Sequence, residues 1–559
     1  MEFPYLSYGA MTGHNVTAFL GLDRTPAAKL PSFSHLENLT AAGYPALTPR
    51  APRVRKLKEE VDGLSADNGL CYVKDNQVYI AGKMVLEDLT DGQKQLICMG
   101  AKMLIFPDKK WLNMVDLTHG SLEAYAEGSD VNFSLVDSEG QVFPVGLTAQ
   151  APENPQQGDL WLTETALLQY DGFDFLPIPT YVRIAMPSAG FASGDAVQIG
   201  GIAAPGASSL NGSRIIYGVE DEAFIFEGFC LPTTQDAALG KVQIARRLPK
   251  MDLVFESGNR LWGCRYGTDN HGNIVNEIYA SRLGDPTNWE DFSGTAADAW
   301  RASVGNHGAF TGGISYLGQP LFFKEGSLHR VYGSYTGQYG LDSIACRGVQ
   351  KGSENSLAVV DEVLYYLSGS GVCRYDGSLP TLVSRALGDW QLSAGVAGSF
   401  RGEYYLSCQR DGKTTMLVYN PSRGLWHSQN PLEVKCFAAD HSRLYGCCDN
   451  GLWVLGEGDE QPGWSAETPP LTLEGYHATK FCRLRLHMRL PLGSAMEVLV
   501  SYDHGAFEKL ATLEGSADPM KKVCFRPKRC QQFRLRLEGR GDISLLGLGI
   551  DTREGGRTP

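Results

Sequence analysis

A recurring strand–turn–strand unit constrains this chain more than any other feature. Leu253–Arg265, Gly312–Gly333, Ala358–Gly377, Gly398–Cys408 with Met416–Asn420, and Ala438–Leu455 share one order: apolar strand, polar turn, aromatic-rich strand, Gly-containing turn, further strand. Successive units are spaced at about 40–50 residues, the size of a four-stranded blade. One such unit cannot bury both of its faces. Radial stacking buries them and leaves only short, protected edges. The pattern therefore predicts an all-β chain with a six- or seven-bladed β-propeller, at roughly one blade per unit. Two earlier segments, Leu70–Ala81 and Lys94–Asp108, carry the same hairpin signal. The 65 glycines, 24 tyrosines and 23 phenylalanines suit many short strands joined by tight turns.

The 559 residues exceed one ordinary domain of roughly 150 residues. Residues 1–63 have little periodicity, several prolines and a basic run from Arg50 to Lys58, and are expected to form an extended arm. Residues 64–119 hold the first blade or blades. Residues 120–235 break the rhythm with Gly158–Thr163, Leu167–Gly172, Gly190–Gly201 and Leu210–Val219, which predict an inserted small β-barrel or sandwich. Residues 236–462 supply the remaining blades. After a Pro-rich joint, residues 471–555 are expected to form a C-terminal β-sandwich. Phe481–Leu490 alternates polar and apolar residues with strict period two, and Cys524–Cys530 and Phe533–Ile543 add further strands.

The net charge of −13 disfavours nucleic acid as the main ligand, because phosphate binding depends on Lys and Arg. The charge is uneven. Residues 471–559 hold 15 Lys and Arg against 10 Asp and Glu, a net of +5, which leaves −18 for the rest. Arg483, Arg485, Arg534 and Arg536 alternate along two strands and are expected on an outward basic stripe. With Arg50, Arg53 and Arg55 they are the candidate docking residues. The bland reading of the arm's basic run is a solvated linker.

Known chemical motifs are missing. The sequence has no phosphate-binding Gly-rich loop, no His-Glu-x-x-His helix and no Gly-x-Ser-x-Gly elbow. Its eleven histidines stand apart from one another. Its thirteen cysteines include no Cys-x-x-Cys pair and read as small buried hydrophobes. Ser501–Phe507 resembles the Asp-containing turn of sialidase-type propellers, with the aromatic one residue early, and is expected to stabilise a turn through Asp503 and a positive φ at Gly505. The adjacent pairs Glu220 with Asp221 and Glu290 with Asp291 are expected to be exposed turn charge. The chain is expected to have no catalytic residue, metal or cofactor and not to be an enzyme. The N-terminus lacks a signal-peptide pattern, and no apolar run approaches the ~18 residues that span a bilayer. Synthesis in a cytoplasm, without a membrane segment, is the expectation.

Glu37–Arg50, Asn259–Gly263, Leu283–Trp289, Ser501–Asp503 and Glu538–Asp542 together resemble segments of phage β-propeller tail hub or nozzle proteins, the packaged-DNA stabilisation proteins of short-tailed phages. The resemblance implies a virion structural protein located in the phage tail. It also implies a homo-oligomeric ring, often sixfold, that contacts other tail or connector proteins. DNA would pass through the lumen without sequence-specific binding, and an acidic lumen would let it slide. The alternative is a phage adhesion module that binds a host-surface glycan through the propeller or sandwich, with Trp262, Trp289 or Trp426 stacking on sugar rings.

Overall fold

The computed structural model describes residues 11–203, 207–231, 234–235, 241–292, 294–333, 339–472, 479–523, 525–526 and 528–554. Positions 1–10 of the expected arm, and Cys524 and Pro527 of the expected strand Cys524–Cys530, lie outside them. Among the described residues every regular element is a strand apart from three short 3-10 turns, so the all-β expectation holds. The chain falls into two compact units. One contains residues 1–93, 323–328 and 344–559, and the other residues 94–322 and 329–343.

Small antiparallel meanders dominate both units, and a shared turn chemistry explains them. Asp75 and Asn76, Gly258 and Asn259, Leu317 and Gly318, Asp361 and Glu362, Arg401 and Gly402, and Asp411 and Gly412 are two-residue loops whose members all have positive φ. Two left-handed residues in succession make the turn whose twist matches that of the flanking strands. Polar and Gly-rich dipeptides at these points thus fix the hairpin register, and the apolar residues between them fill the faces.

In the second unit, Gln95–Met99 opens one four-stranded sheet and Leu253–Ser257 another, and Gly312–Tyr316 opens a further four-stranded sheet along the chain. Between the first two lies an eight-stranded sheet. It begins with Ala124–Gly128 and ends on Val242–Arg246, which pair with each other. The sheet therefore runs past residue 235, the expected end of the insertion. Its core includes Phe133, Val182, Ile184, Phe224, Phe226 and Ile244. A buried ion pair, Arg246 with Asp195, fastens it. A separate three-stranded sheet, Leu160–Leu162, Leu167–Tyr170 and Phe175–Pro177, carries an almost fully exposed Phe173 at its second turn.

In the first unit, Gly63–Leu86, Ala358–Leu382 and Leu392–Gln429 each supply a four-stranded meander. A further one takes three strands from Cys436–Leu455 and its fourth, Arg53–Leu57, from near the chain's start. This corrects the reading of the basic run as a solvated linker: Val54 lies opposite Val454, and Arg53 opposite Leu455. His35–Glu37 is also a strand, lying between Leu425–Gln429 and Gly463–Glu467. It joins the Leu392–Gln429 meander to the C-terminal strands. There the long strand Thr479–Tyr502 pairs along its first half with Ser544–Glu554 and along its second with Gln532–Arg540. Leu484, Leu486 and Met488 from one half share a core with Met496, Val498 and Val500 from the other. Met11–Val16 adds an outer strand to Ser544–Glu554.

Candidate functional site

The Leu392–Gln429 meander and residues 40–53 line a cavity of about 530 Å³ that opens to solvent, within the first unit. Glu403 and Tyr405 stand two residues apart on the strand Glu403–Arg410, so both project from one side of it. Arg401 occupies the positive-φ turn immediately before that strand. Asn420 ends the neighbouring strand, and Gln429 ends the next.

The opposite wall is held by a polar knot. Asn38 has a positive φ of 57°, and its side-chain oxygen accepts hydrogen bonds from Arg50 Nε at 3.0 Å and from the backbone N–H of Asn430 at 2.9 Å. Arg50 donates also to Glu460 at 3.0 Å, and its side chain is almost wholly buried. Every interaction it makes is internal. Arg53 is likewise buried, with 7% of its surface exposed. It donates to Asn430 O at 3.0 Å and to Gln429 Oε1 at 2.6 Å, while its buried Nε has no hydrogen-bond partner. Burial, and then the nearby Arg50, push the Arg53 guanidinium down to about 10. Gln429 has its oxygen committed to Arg53, so its Nε2 must donate to His427 Nε2, 3.4 Å away. Complete burial holds His427 neutral, with a pKa lowered to about 3.

The acidic member of the site has only neutral partners. Glu403 accepts from Asn420 Nδ2 at 3.1 Å and from the Tyr405 hydroxyl at 3.3 Å, and burial raises its pKa. Burial raises that of Tyr405 too. Arg401 lies 4.9 Å from the centroid of Phe400, and Arg423 4.4 Å from that of Tyr44. The cavity thus gathers cationic hydrogen-bond donors and one carboxyl whose pKa burial raises.

The candidate docking arginines are not one surface. Arg50 and Arg53 are buried and present no surface on which a protein partner could dock, although Arg53 lines the cavity. Arg55 lies on the outer strand, 5.9 Å from the Trp453 ring centroid. Arg483 and Arg485 approach Asp551 at 3.8 and 2.8 Å. Arg534 and Arg536 approach Glu467 at 2.7 and 2.8 Å. Asp551 and Glu467 are themselves nearly buried, so the outward stripe is compensated from beneath. Arg401, Arg423, Glu403 and Asn420 were not singled out by sequence reasoning. A hairpin turn at Arg401–Gly402 was the available signal, but nothing local ties it to residues 40–53.

Other expectations need correction. Trp262, Trp289 and Trp426 are at most 5% exposed, and their indole N–H groups donate to Ser257, Pro286 and Val383 carbonyls, so none offers a face to a sugar. Asp291 is not exposed turn charge: it is buried and pairs with Arg282 at 3.0 Å. Glu220 is exposed, as expected, and pairs with Arg183. In the Ser501–Phe507 turn the positive φ values fall on Asp503 and His504, not on Gly505. Asp503 accepts the backbone N–H groups of Gln531 and Gln532, and so ties the turn to a neighbouring strand.

No family model matches the chain, and no curated protein matches it. Solved structures to which it is similar include an exo-β-1,3-galactanase from Phanerochaete chrysosporium, at 11% identity and a TM-score of 0.21, covering 53% of this chain and 94% of that one. The extracellular domain of a protein described as a one-component system from B. thetaiotaomicron is similar at 9% identity and a TM-score of 0.21, covering 93% and 99%. The expectation that the chain is not an enzyme is therefore withdrawn, because an enzyme stands among these structures. At such TM-scores the likeness assigns no activity.

Proposed function

We propose that this chain is a structural component of a tailed-phage particle, a tail hub, nozzle or connector. In this reading it is a seven-bladed β-propeller with an inserted β-domain and a C-terminal β-sandwich. The observation that carries the reading is the set of seven four-strand meanders, one of which takes its outer strand, Arg53–Leu57, from the opposite end of the chain. A strand borrowed across the whole sequence ties the two ends of a ring of blades and leaves no unpaired end blade to open under load. The segments quoted above for their resemblance to tail hub and nozzle proteins agree with it.

Copies of the chain would form a ring around passing DNA, and the three-stranded sheet that exposes Phe173 and Leu176 would meet the next tail component. Immunogold labelling of intact particles tests this. Label at the tail end, with rings in negative-stain images of the purified chain, is the expected result. Label on the capsid wall or on long fibres refutes the assignment.

A further inference from the structure

The cavity between residues 40–53 and the Leu392–Gln429 meander has a charge imbalance that internal contacts do not settle. Arg50 is neutralised by Glu460. Arg53, Arg401 and Arg423 also line the cavity, and among the described residues none of the three has a carboxylate within ion-pair distance. The sole carboxyl in the lining is Glu403, and its hydrogen-bond donors are the neutral Asn420 and Tyr405. Three guanidinium charges thus face one carboxyl, in a chain whose net charge is −13.

Arg53 lines the cavity and spends two of its five guanidinium N–H groups, on Asn430 O and Gln429 Oε1, so its terminal nitrogens keep donors for a further acceptor. The two outer arginines lie over the Phe400 and Tyr44 rings, a contact that leaves their N–H groups unused. The planar fork of a guanidinium matches the oxygens of a carboxylate or a phosphate.

The size of the space narrows the ligand further. At about 530 Å³ the cleft has the size of a small-molecule site and more room than a bare oxyanion needs. Asn420, Ser422 and Thr40 add neutral polar groups to the lining, suited to hydroxyls.

We propose that this cavity binds a small oxyanion carried on a hydroxylated body of about one or two sugar rings, a sugar acid or a sugar phosphate, with the anionic oxygens on Arg53, Arg401 and Arg423. The assignment is independent of the particle-component reading.

Titration calorimetry on the full chain tests it, with glucuronate, glucose 6-phosphate and glucose as probes. Both anionic sugars should bind at least about tenfold more tightly than glucose, equivalent to one charge-assisted hydrogen bond. The preference should shrink as salt rises. The stronger of the two anions identifies whether carboxylate or phosphate is the natural group.

Arg401 and Arg423 are exposed, so the double variant Arg401→Gln, Arg423→Gln should fold with an unchanged melting temperature. It should lose at least about tenfold in affinity for the anionic sugars and nothing for glucose. Arg53→Lys, which keeps the charge but loses the fork, should weaken binding as well. Equal binding of glucose and the anions overturns the proposal. So does the absence of binding by either anion, or unchanged affinity in a folded double variant.

Discussion

Two groups of arginines in the same unit have opposite electrostatic fates. On the C-terminal strands, Glu467 takes both Arg534 and Arg536, and Asp551 takes Arg485 with Arg483 beyond it. Each carboxylate is nearly buried while its arginines are about a third or more exposed. Around the cavity the order is reversed. Arg53 is buried, its guanidinium donating to an amide and a carbonyl oxygen while its backbone N–H takes Glu460, and burial raises the pKa of the Glu403 carboxyl in the same lining. The first group uses charge to fasten strands together. The second holds charge ready for something else. An arginine-rich sequence does not distinguish these outcomes, because the deciding residue is the carboxylate and its depth.

The contrast can be broken at several points. The largest effect is expected in acid, from the polar chain Arg53–Gln429–His427. The unfolded chain protonates this histidine near 6.5, while the native one resists until about 3. The unfolded state therefore binds more protons in that window. The histidine's contribution to stability is intact above pH 6.5 and is lost as pH falls towards 3, by on the order of 4 kcal/mol. Denaturant unfolding of the protein and of His427→Gln as a function of pH should show curves that diverge in that range. Parallel curves would mean that His427 is not sealed from protons.

Next comes Glu467→Gln, which strands two arginines at once. A loss of about 2 kcal/mol is expected, below the full cost of breaking a buried pair because the arginines keep contact with water. Thermal melts check it, and an unchanged melting temperature would show that the stripe is not compensated from below.

A smaller effect, opposite in sign to that of His427, is expected from Glu403. Its native pKa is raised by burial, so the folded state holds the proton more tightly than the unfolded one. Stability should therefore fall as pH rises from the ordinary carboxylate range through the raised value, and Glu403→Gln should flatten that fall. The smallest change in stability, within about 0.5 kcal/mol, is expected for the solvent-exposed Phe173→Ala.

Much of the hairpin architecture was legible, because its determinants are local. Asp75 with Asn76, or Asp411 with Gly412, announces a turn from two residues, and the alternation in Phe481–Leu490 announces a half-buried strand. What escaped depends on partners remote in sequence. Arg53–Leu57 becomes a strand only because Gly451–Leu455 needs a neighbour, and its five residues carry too little pattern to declare it. Arg50 was read as surface charge because Glu460, which permits its burial, is 410 residues away. The end of the eight-stranded sheet was missed for the same reason: Val242–Arg246 looks like any other strand until Ala124–Gly128 claims it. The cavity combines both failures, since its walls come from segments that share no motif.

The borrowed strand also sets a timetable for biosynthesis. Arg55 and Asn450, which touch in the finished protein, are 395 residues apart. At roughly 5–20 residues per second, Arg53–Leu57 leaves the ribosome on the order of half a minute before its partner exists. Through that interval it is an unpaired edge, the sort of segment that neighbouring chains on a crowded polysome could capture. Its composition, Arg-Val-Arg-Lys-Leu followed by Lys58, Glu59 and Glu60, answers that hazard: dense charge discourages pairing with strangers until the proper edge arrives.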